Sequence, residues 1–381
     1  MINVVFISHE TSKETLLGSS LSLFNLIHSV DEECNIFVVT PNRGRTYHFF
    51  LNKGYKCISL PFKKDTISTK SNVRNFIIFF PKLLIYLFFN IYSLIKAYLY
   101  FRDKDIQIVH SNSSVIDFGY FLAKVIRAKH VWHIREFQNL DFGLKPFLGW
   151  KRLKRLIKKS DLSISITPYI ARHYGLDNVP NSIVLGDAVR SKADAISEWP
   201  KKKYFLFCGH VCPAKGADWA VKAFSDFYHS FPDKQNEYRL KFCGNCDEEY
   251  KSQLIAIDPS ISDKIDFLGY QMDTKPYFKE SIAFLMCSGN EGLGRVTIEA
   301  MFYGCPVIGR DTAGTKTLLA EGKYGFPFDT IEQCSQRMKE VVSNECEAKN
   351  IADAAQKHVL SNYSEEVYGK KIMSLYKQIF N

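Results

Sequence analysis

The chain has 381 residues, 46% of them hydrophobic and 24% charged, and a formal net charge of +10. This is the composition of ordinary globular protein, and the length exceeds one ordinary core, predicting two domains of roughly 150–200 residues. Ten scattered cysteines, mostly inside apolar runs, argue for a reduced cytoplasm and against a disulfide framework. The first 190 residues carry 26 Lys and Arg against 14 Asp and Glu, and the remainder 24 against 26. The first half is therefore expected to meet something anionic. No nucleic-acid module is recognisable, which leaves a membrane surface as the favoured partner.

Residues 2–7 read as a first buried strand that leads straight into the fold, so no signal peptide is expected. Further strands are predicted at 34–40, 106–111, 130–134 and 162–167. A second set follows at 204–208, 238–243, 264–268, 282–287 and 306–309. Several are near-continuous apolar runs, as expected where helices cover both faces of a parallel sheet. Helix-like runs alternate with them, which predicts an α/β chain with two doubly wound, Rossmann-like domains. The expected units are 1–190, 191–362 and a terminal helix over 363–381 that crosses back to the first domain. Ligands of such sheets bind at the carboxyl ends of strands, so two facing domains are expected to share a cleft.

Two segments of the first half stand apart. Residues 76–101 are dense in Phe, Tyr, Ile and Leu, but Pro81, Lys82, Asn90 and Lys96 interrupt them and argue against a span. The segment reads either as a buried crossover helix or as a monotopic surface helix with an aromatic face. In residues 145–159, Trp150, Leu153, Leu156 and Ile157 recur at helical spacing. Lys151, Arg152, Lys154, Arg155, Lys158 and Lys159 fill the other face. This pattern suits a helix on an anionic membrane, and equally a solvated helix packed on its own sheet. A peripheral position at the inner face of the cytoplasmic membrane is expected.

The most informative stretch is Glu291-Gly-Leu-Gly-Arg-Val-Thr-Ile-Glu299. A predicted strand precedes it and a predicted helix follows from Val296, so Glu291 lies in a strand-to-helix loop and Glu299 about one turn into the helix. Gly292 and Gly294 let backbone approach a ligand, and a helix N-terminus with free N–H groups suits a phosphate. Two carboxylates that accept from hydroxyls, flanking such a turn, describe a sugar-nucleotide site.

This stretch, continued through Ala-Met-Phe-Tyr-Gly-Cys-Pro-Val-Ile308 and Asp311-Thr-Ala-Gly-Thr-Lys316, resembles family 4 retaining glycosyltransferases of the GT-B fold, among them bacterial surface-polysaccharide enzymes. The resemblance extends over the whole chain, weakly between about 45 and 105. It implies that Glu291 lies near the donor sugar's hydroxyls and that Glu299 accepts from the ribose. Leu293, Arg295 and Val296 complete the donor loop. The run Phe205-Leu-Phe-Cys-Gly-His-Val-Cys-Pro-Ala-Lys-Gly216 is similar to the family's strand followed by Gly-Arg-Leu and Lys-Gly. It implies that Gly209 and Lys215 contact the donor diphosphate. His210 stands where the family usually has arginine, a fixed charge replaced by a partly charged ring. Val131-Trp-His-Ile-Arg-Glu-Phe137 implies that His133 faces the donor sugar, binding and orienting it. Arg135 and Glu136 reach phosphate or acceptor, or else pair with each other. The resemblance further implies that Gly18 and Ser19 open the first helix and that this loop touches the diphosphate or the acceptor. Tyr270, after a predicted strand, falls at the base-binding edge.

Two other patterns are weighed and set aside. Cys208 and Cys212, with Cys243 and Cys246, loosely mimic zinc half-sites, but two of the four lie in apolar runs. Asp103-Lys-Asp105 reads as a solvated turn. No metal or other cofactor is expected, because the resemblance implies a diphosphate held by Lys215 and helix amides. The implied function is transfer of a sugar from a UDP- or GDP-sugar to a saccharide or lipid-linked saccharide in surface-polysaccharide synthesis. The alternatives are an epimerase or phosphorylase on the same fold, or a non-catalytic sugar-nucleotide or membrane-binding module.

Overall fold

The computed structural model describes residues 1–381 except 15, 17, 70–76, 232–236 and 381. It divides into two compact units, Met1–Ala188 with Glu365–Asn381, and Val189–Ser364.

The first unit contains β1 (Ile2–Ile7), β2 (Cys34–Thr40), β3 (Lys56–Ser59), β4 (Ile67–Ser68), β5 (Ile108–Ser111), β6 (Lys129–Ile134), β7 (Leu144–Lys145), β8 (Leu162–Ser165) and β9 (Ser182–Val184). Seven of them form a parallel sheet in the order β3-β2-β1-β5-β6-β8-β9. Its central strands are buried at nearly every position, polar ones included, because both faces are covered. Val4 and Phe6 of β1 feed one core cluster, while Val5 and Ile7 feed another on the opposite face. The alternation of side chains along a strand requires that split. The short ribbon β4-β7 is antiparallel.

The last helix, Glu365–Gln378, belongs to this first unit, and Tyr368, Ile372, Met373 and Tyr376 complete the cluster around Val4 and Phe6. Gly369 permits the contact: a Cβ there would stand 2.1 Å from the carbonyl oxygen of Ser29.

The second unit holds β10 (Lys202–Cys208), β11 (Arg239–Cys243), β12 (Ile265–Phe267), β13 (Ser281–Met286), β14 (Val307–Arg310) and β15 (Phe326–Phe328). They form a wholly parallel sheet in the order β12-β11-β10-β13-β14-β15. The order reverses between β10 and β13, and the switch point of such a sheet is where ligands bind, outside the carboxyl ends. Helices Ala217–Ser230 and Ile331–Ser343 cover one face, closing a core around Phe205, Phe224, Phe227, Leu285 and Met338.

The predicted strands are present with boundaries shifted by up to two residues. Besides the two-residue strands of the β4-β7 ribbon, the reading missed β3, β9 and β15. Each is an edge strand of three or four residues, and β15 carries Pro327, which only an edge tolerates.

Two readings of the basic half are corrected. The segment starting at 76 begins outside the described residues, and its helix spans Phe79–Phe101. Pro81 does not interrupt it, because a proline in the first turn removes an N–H that has no intrahelical partner. Nor is it a buried crossover helix, since only Tyr86, Asn90, Ser93, Ala97 and Phe101 are buried. The helix Trp150–Lys158 does turn its apolar stripe inward. Leu153 and Ile157 are buried, and Trp150 meets the rings of His173 and Tyr174 edge-on. Only its basic face is left for a membrane.

Candidate functional site

In the second unit the candidate residues gather at the carboxyl ends of β10 to β13. β10 runs into Gly209, a short 3-10 turn at Pro213–Lys215, and Gly216. Gly216 has φ 71°, and a Cβ on it would stand 2.3 Å from the carbonyl oxygen of Cys287. Only glycine lets this turn lie against the end of β13. That proximity brings Lys215 to the loop after β13, where its Nζ donates to Glu291 Oε1 at 2.5 Å. The Glu291 side chain is 15% exposed and that of Lys215 42%.

The loop 291–294 ends on Gly294, whose φ of 77° serves as N-cap of helix Arg295–Phe302. Glycine supplies that left-handed turn without a clash. The first turn carries no acidic residue, so the positive end of the helix is not countered from within, although Thr297 N–H already donates to the Gly294 carbonyl at 2.9 Å. The loop is held from behind: Gly314 N donates to the Glu291 carbonyl at 2.9 Å, and a Cβ on Gly314 would stand 2.7 Å from the carbonyl oxygen of Gly292. Leu293 and Gly294 are buried, while Gly292, Arg295 and Val296 are half-buried. Glu299, one turn on, lies 3.6 Å from Arg190. Both candidate carboxylates therefore have a cation at hand. Sequence reasoning missed Arg190, and 109 positions of separation leave no local signal for it.

His210 and Tyr270 are exposed at the ends of β10 and β12. The glycines between them meet closely: Gly244 N donates to the Gly269 carbonyl at 2.9 Å, and a Cβ on Gly244 would fall 1.8 Å from the Gly209 carbonyl. Cys208 and Cys243 are register partners on β10 and β11. Among the described residues no group of three or more His, Cys, Asp or Glu could hold a metal ion.

Gly18, Ser19 and His133 lie in the first unit. Gly18 opens helix Gly18–His28 in open space. Ser19 Oγ donates to Glu10, which also pairs with His9 at 2.9 Å. Burial alone would raise the Glu10 pKa, but hydrogen bonds and charge from His9, with Ser19 and Lys64, hold it at about 2. His133, at the end of β6, is fully enclosed. Its Nδ1 lies 3.3 Å from His110 Nε2, and its Nε2 lies 3.5 Å from Asp187 Oδ1. His110 Nδ1 in turn meets the Tyr376 hydroxyl at 2.6 Å. Burial pushes both imidazoles well below their ordinary range, so both are neutral at pH 7. His133 thus offers no surface to a ligand, contrary to the expectation that it faces the donor sugar.

Arg135, two residues on, is held by Asp187. Asp187 grips its guanidinium in a fork, at 2.8 Å from Nε and 2.8 Å from Nη2. Burial would lower its pKa, but the Asp187 carboxylate raises it. Its Nη1 donates to Asn112, whose Nδ2 donates to the Ser19 carbonyl at 3.3 Å. Arg135 and Glu136 do not pair by hydrogen bond. Glu136 accepts instead from Ser113 Oγ and from the N–H and Oγ of Ser114, at 2.6 to 2.8 Å.

Residues 189–358 match the family model of glycosyl transferases group 1, a range that nearly fills the second unit. The chain is 30% identical over 147 residues to an uncharacterized glycosyltransferase of Haemophilus influenzae, covering 38% of this chain and 40% of that protein. It is 28% identical over 196 residues to the O-antigen chain mannosyltransferase RfbU of Salmonella typhimurium, covering 50% and 52%. The chain thus matches about half or less of the length of these relatives. The solved structures show the fold over nearly all of it. HepE of Anabaena in complex with UDP-glucose superposes with a TM-score of 0.75 at 13% identity, covering 99% of this chain and 100% of that one. A glycosyltransferase from Rickettsia africae gives 0.73 at 17%, covering 100% and 99%. The fold is GT-B, with a glycosyl transferases group 1 domain at 189–358.

Proposed function

We propose that this chain is a retaining, family 4-like glycosyltransferase that moves a sugar from a UDP- or GDP-sugar to a saccharide or lipid-linked saccharide, in cell-surface polysaccharide synthesis at the inner face of the cytoplasmic membrane. The observation that carries this reading is the Lys215–Glu291 pair, set beside the N-terminus of helix Arg295–Phe302 at the switch point of the second sheet. A cation, a carboxylate and the positive end of a helix meet where a nucleoside diphosphate sugar would present an anion next to hydroxyls. The match of 189–358 and the O-antigen mannosyltransferase relative support the same class.

The donor's diphosphate takes the helix amides and Lys215, and Glu291 accepts from a sugar hydroxyl. Glu299 accepts from the ribose diol. As the bond to the anomeric carbon lengthens, charge grows on the leaving phosphate, where a fixed ammonium and oriented amides stabilise it most. The acceptor hydroxyl enters on the face the diphosphate leaves and gives its proton to a phosphate oxygen, so configuration is retained and no protein base is needed. Charge neutralisation by Lys215 lets the step run without a metal ion.

Incubation with UDP- and GDP-sugars, with and without a lipid-linked acceptor, tests the reading. Sugar transferred to acceptor with retained configuration is expected. An isomerised donor, a sugar phosphate, or binding without turnover would each replace it with a different function.

A further inference from the structure

The helix Phe79–Phe101 is built inside out. Its buried stripe is Tyr86, Asn90, Ser93, Ala97 and Phe101, at steps of four, three, four and four. That stripe includes the one amide and the one serine of the helix, Asn90 and Ser93. Tyr86 donates to Asp117 at 2.6 Å, and Asn90 Nδ2 to the carbonyl of Tyr86 at 2.8 Å. The remaining face carries the large apolar side chains. Phe80, Leu84 and Phe88 are each about two-thirds exposed, and Ile85, Ile91, Ile95, Tyr98 and Leu99 are exposed with them. A water-facing helix has the opposite polarity, and monomers rarely leave so large an apolar surface bare.

The surface continues beyond this helix. Phe147 packs against Phe79 and Tyr86, at 6.0 and 5.6 Å between ring centroids. Its chain neighbour Leu148 is exposed. The helix Trp150–Lys158 follows at once, tied in by Arg152, which reaches Asp65 at 3.0 Å and Asp117 at 2.7 Å. Lys151, Arg155, Lys158 and Lys159 stand exposed there. On the long helix itself Lys82 and Lys96 are exposed, with Lys96 folded over the Tyr92 ring at 4.6 Å. Neither 77–101 nor 143–160 contains an Asp or Glu.

We propose that this face binds an anionic bilayer, with the helix Phe79–Phe101 lying flat in the interface, apolar side down, and the basic face of Trp150–Lys158 against lipid headgroups. The helix is long and apolar enough to cross a membrane. Crossing would strip Ala97 and Phe101 out of the core they share with Val5, Ile7 and Val109. Lying flat keeps that core and buries only the exposed side. Lysines beside tyrosines suit an interface, where the stem is covered and the ammonium reaches the headgroups. A second copy is a poorer occupant, because a two-fold pair sets the same basic rim on both partners with no acid to answer it. The inference deepens the membrane part of the proposed function and does not rest on the sugar-transfer chemistry, so flotation and turnover can fail independently.

Flotation of the full chain with vesicles of phosphatidylglycerol and phosphatidylethanolamine, and with vesicles of phosphatidylcholine, tests it. Binding to the anionic vesicles is expected, weakened by salt and much reduced on phosphatidylcholine. The exposed triple variant Phe88→Asn, Ile91→Asn, Ile95→Asn should partition about a hundredfold less strongly with an unchanged melting curve. The variant Lys151→Gln, Arg155→Gln, Lys158→Gln should lose most of the salt-sensitive part. Failure of the wild-type chain to float with anionic vesicles overturns the proposal, as does equal flotation of the apolar triple variant. A dimer in light scattering that the triple variant dissolves, without flotation, assigns the face to self-association instead.

Discussion

Lys215 Nζ sits 2.5 Å from Glu291 Oε1, although 76 positions separate the two residues. The pair is half open to solvent on the lysine side, so it contributes little to stability, about 0–1 kcal/mol. In the proposed scheme its consequence is chemical: Glu291 fixes the position of a half-exposed ammonium that a diphosphate would meet.

Lys215→Met should therefore leave the melting temperature nearly unchanged while lowering kcat by about a hundredfold or more, the usual result of losing one group that stabilises departing charge. Steady-state kinetics beside a thermal melt check this. A large loss of stability with ordinary turnover would contradict the assigned role.

Glu299 and Arg190 lie 3.6 Å apart at the other end of the loop-helix unit. Glu299→Ala should weaken nucleoside diphosphate binding by about tenfold to a hundredfold, the value of a charge-assisted hydrogen bond. Turnover at saturating donor should suffer less. Titration calorimetry with UDP and GDP gives the number, and unchanged affinity for both would remove Glu299 from the ribose.

Gly314 supports the donor loop without touching the ligand in the proposed scheme. Gly314→Ala places a methyl 2.7 Å from the Gly292 carbonyl and 2.8 Å from that of Glu291, so the loop must move. Such overpacking costs about 1–3 kcal/mol. A lower melting temperature is expected, together with a fall in donor affinity that saturating donor does not fully repair in kcat. Unchanged affinity would show that the loop moves without consequence.

The buried imidazoles set a pH dependence. His110, His130 and His133 are held below the ordinary imidazole range by burial, His130 at about 3. The unfolded chain takes up protons near pH 6.5 that the folded chain refuses, so stability is present above that pH and is lost as pH falls through it. Asp65 acts in the opposite sense. Burial, and then the Asp117 carboxylate, push it up to about 7, so the folded state holds one proton between about pH 4 and 7. His130 bridges Ser111 and Ser160, each at 2.9 Å, a geometry that glutamine can imitate. His130→Gln should remove one proton from the slope of unfolding free energy against pH between 4 and 6, about 1.4 kcal/mol per unit. Urea titrations at several pH values measure it, and an unaltered slope would mean that His130 titrates alike in both states.

Much of the molecule is legible along the chain because the signals are local. β13 reads as a buried strand since all six of its residues are apolar or small. The loop behind it reads as a ligand turn since glycine is needed at the φ of 77° that Gly294 adopts. The edge strands β3, β9 and β15 escape notice because three or four residues carry too little periodicity. His133 shows the other kind of limit. Its position at a strand end is readable, but not its enclosure beside His110, whose other ring nitrogen meets Tyr376 from a helix 243 positions beyond His133.

The amino-acid order by itself determined the two parallel sheets, the glycine turns at 216 and 294, and the apolar and basic character of the first half. Strand burial, backbone sterics and charge all act at or near the residue that carries them. Tertiary structure alone decided which cation neutralises which carboxylate, Lys215 for Glu291 and Arg190 for Glu299, and that His133 is sealed behind Arg135 and Asp187. It also decided that the helix Phe79–Phe101 turns its polar stripe inward and its aromatic side out. Contacts between residues far apart in the chain depend on how strands are ordered and helices laid across them, and no local pattern carries that information.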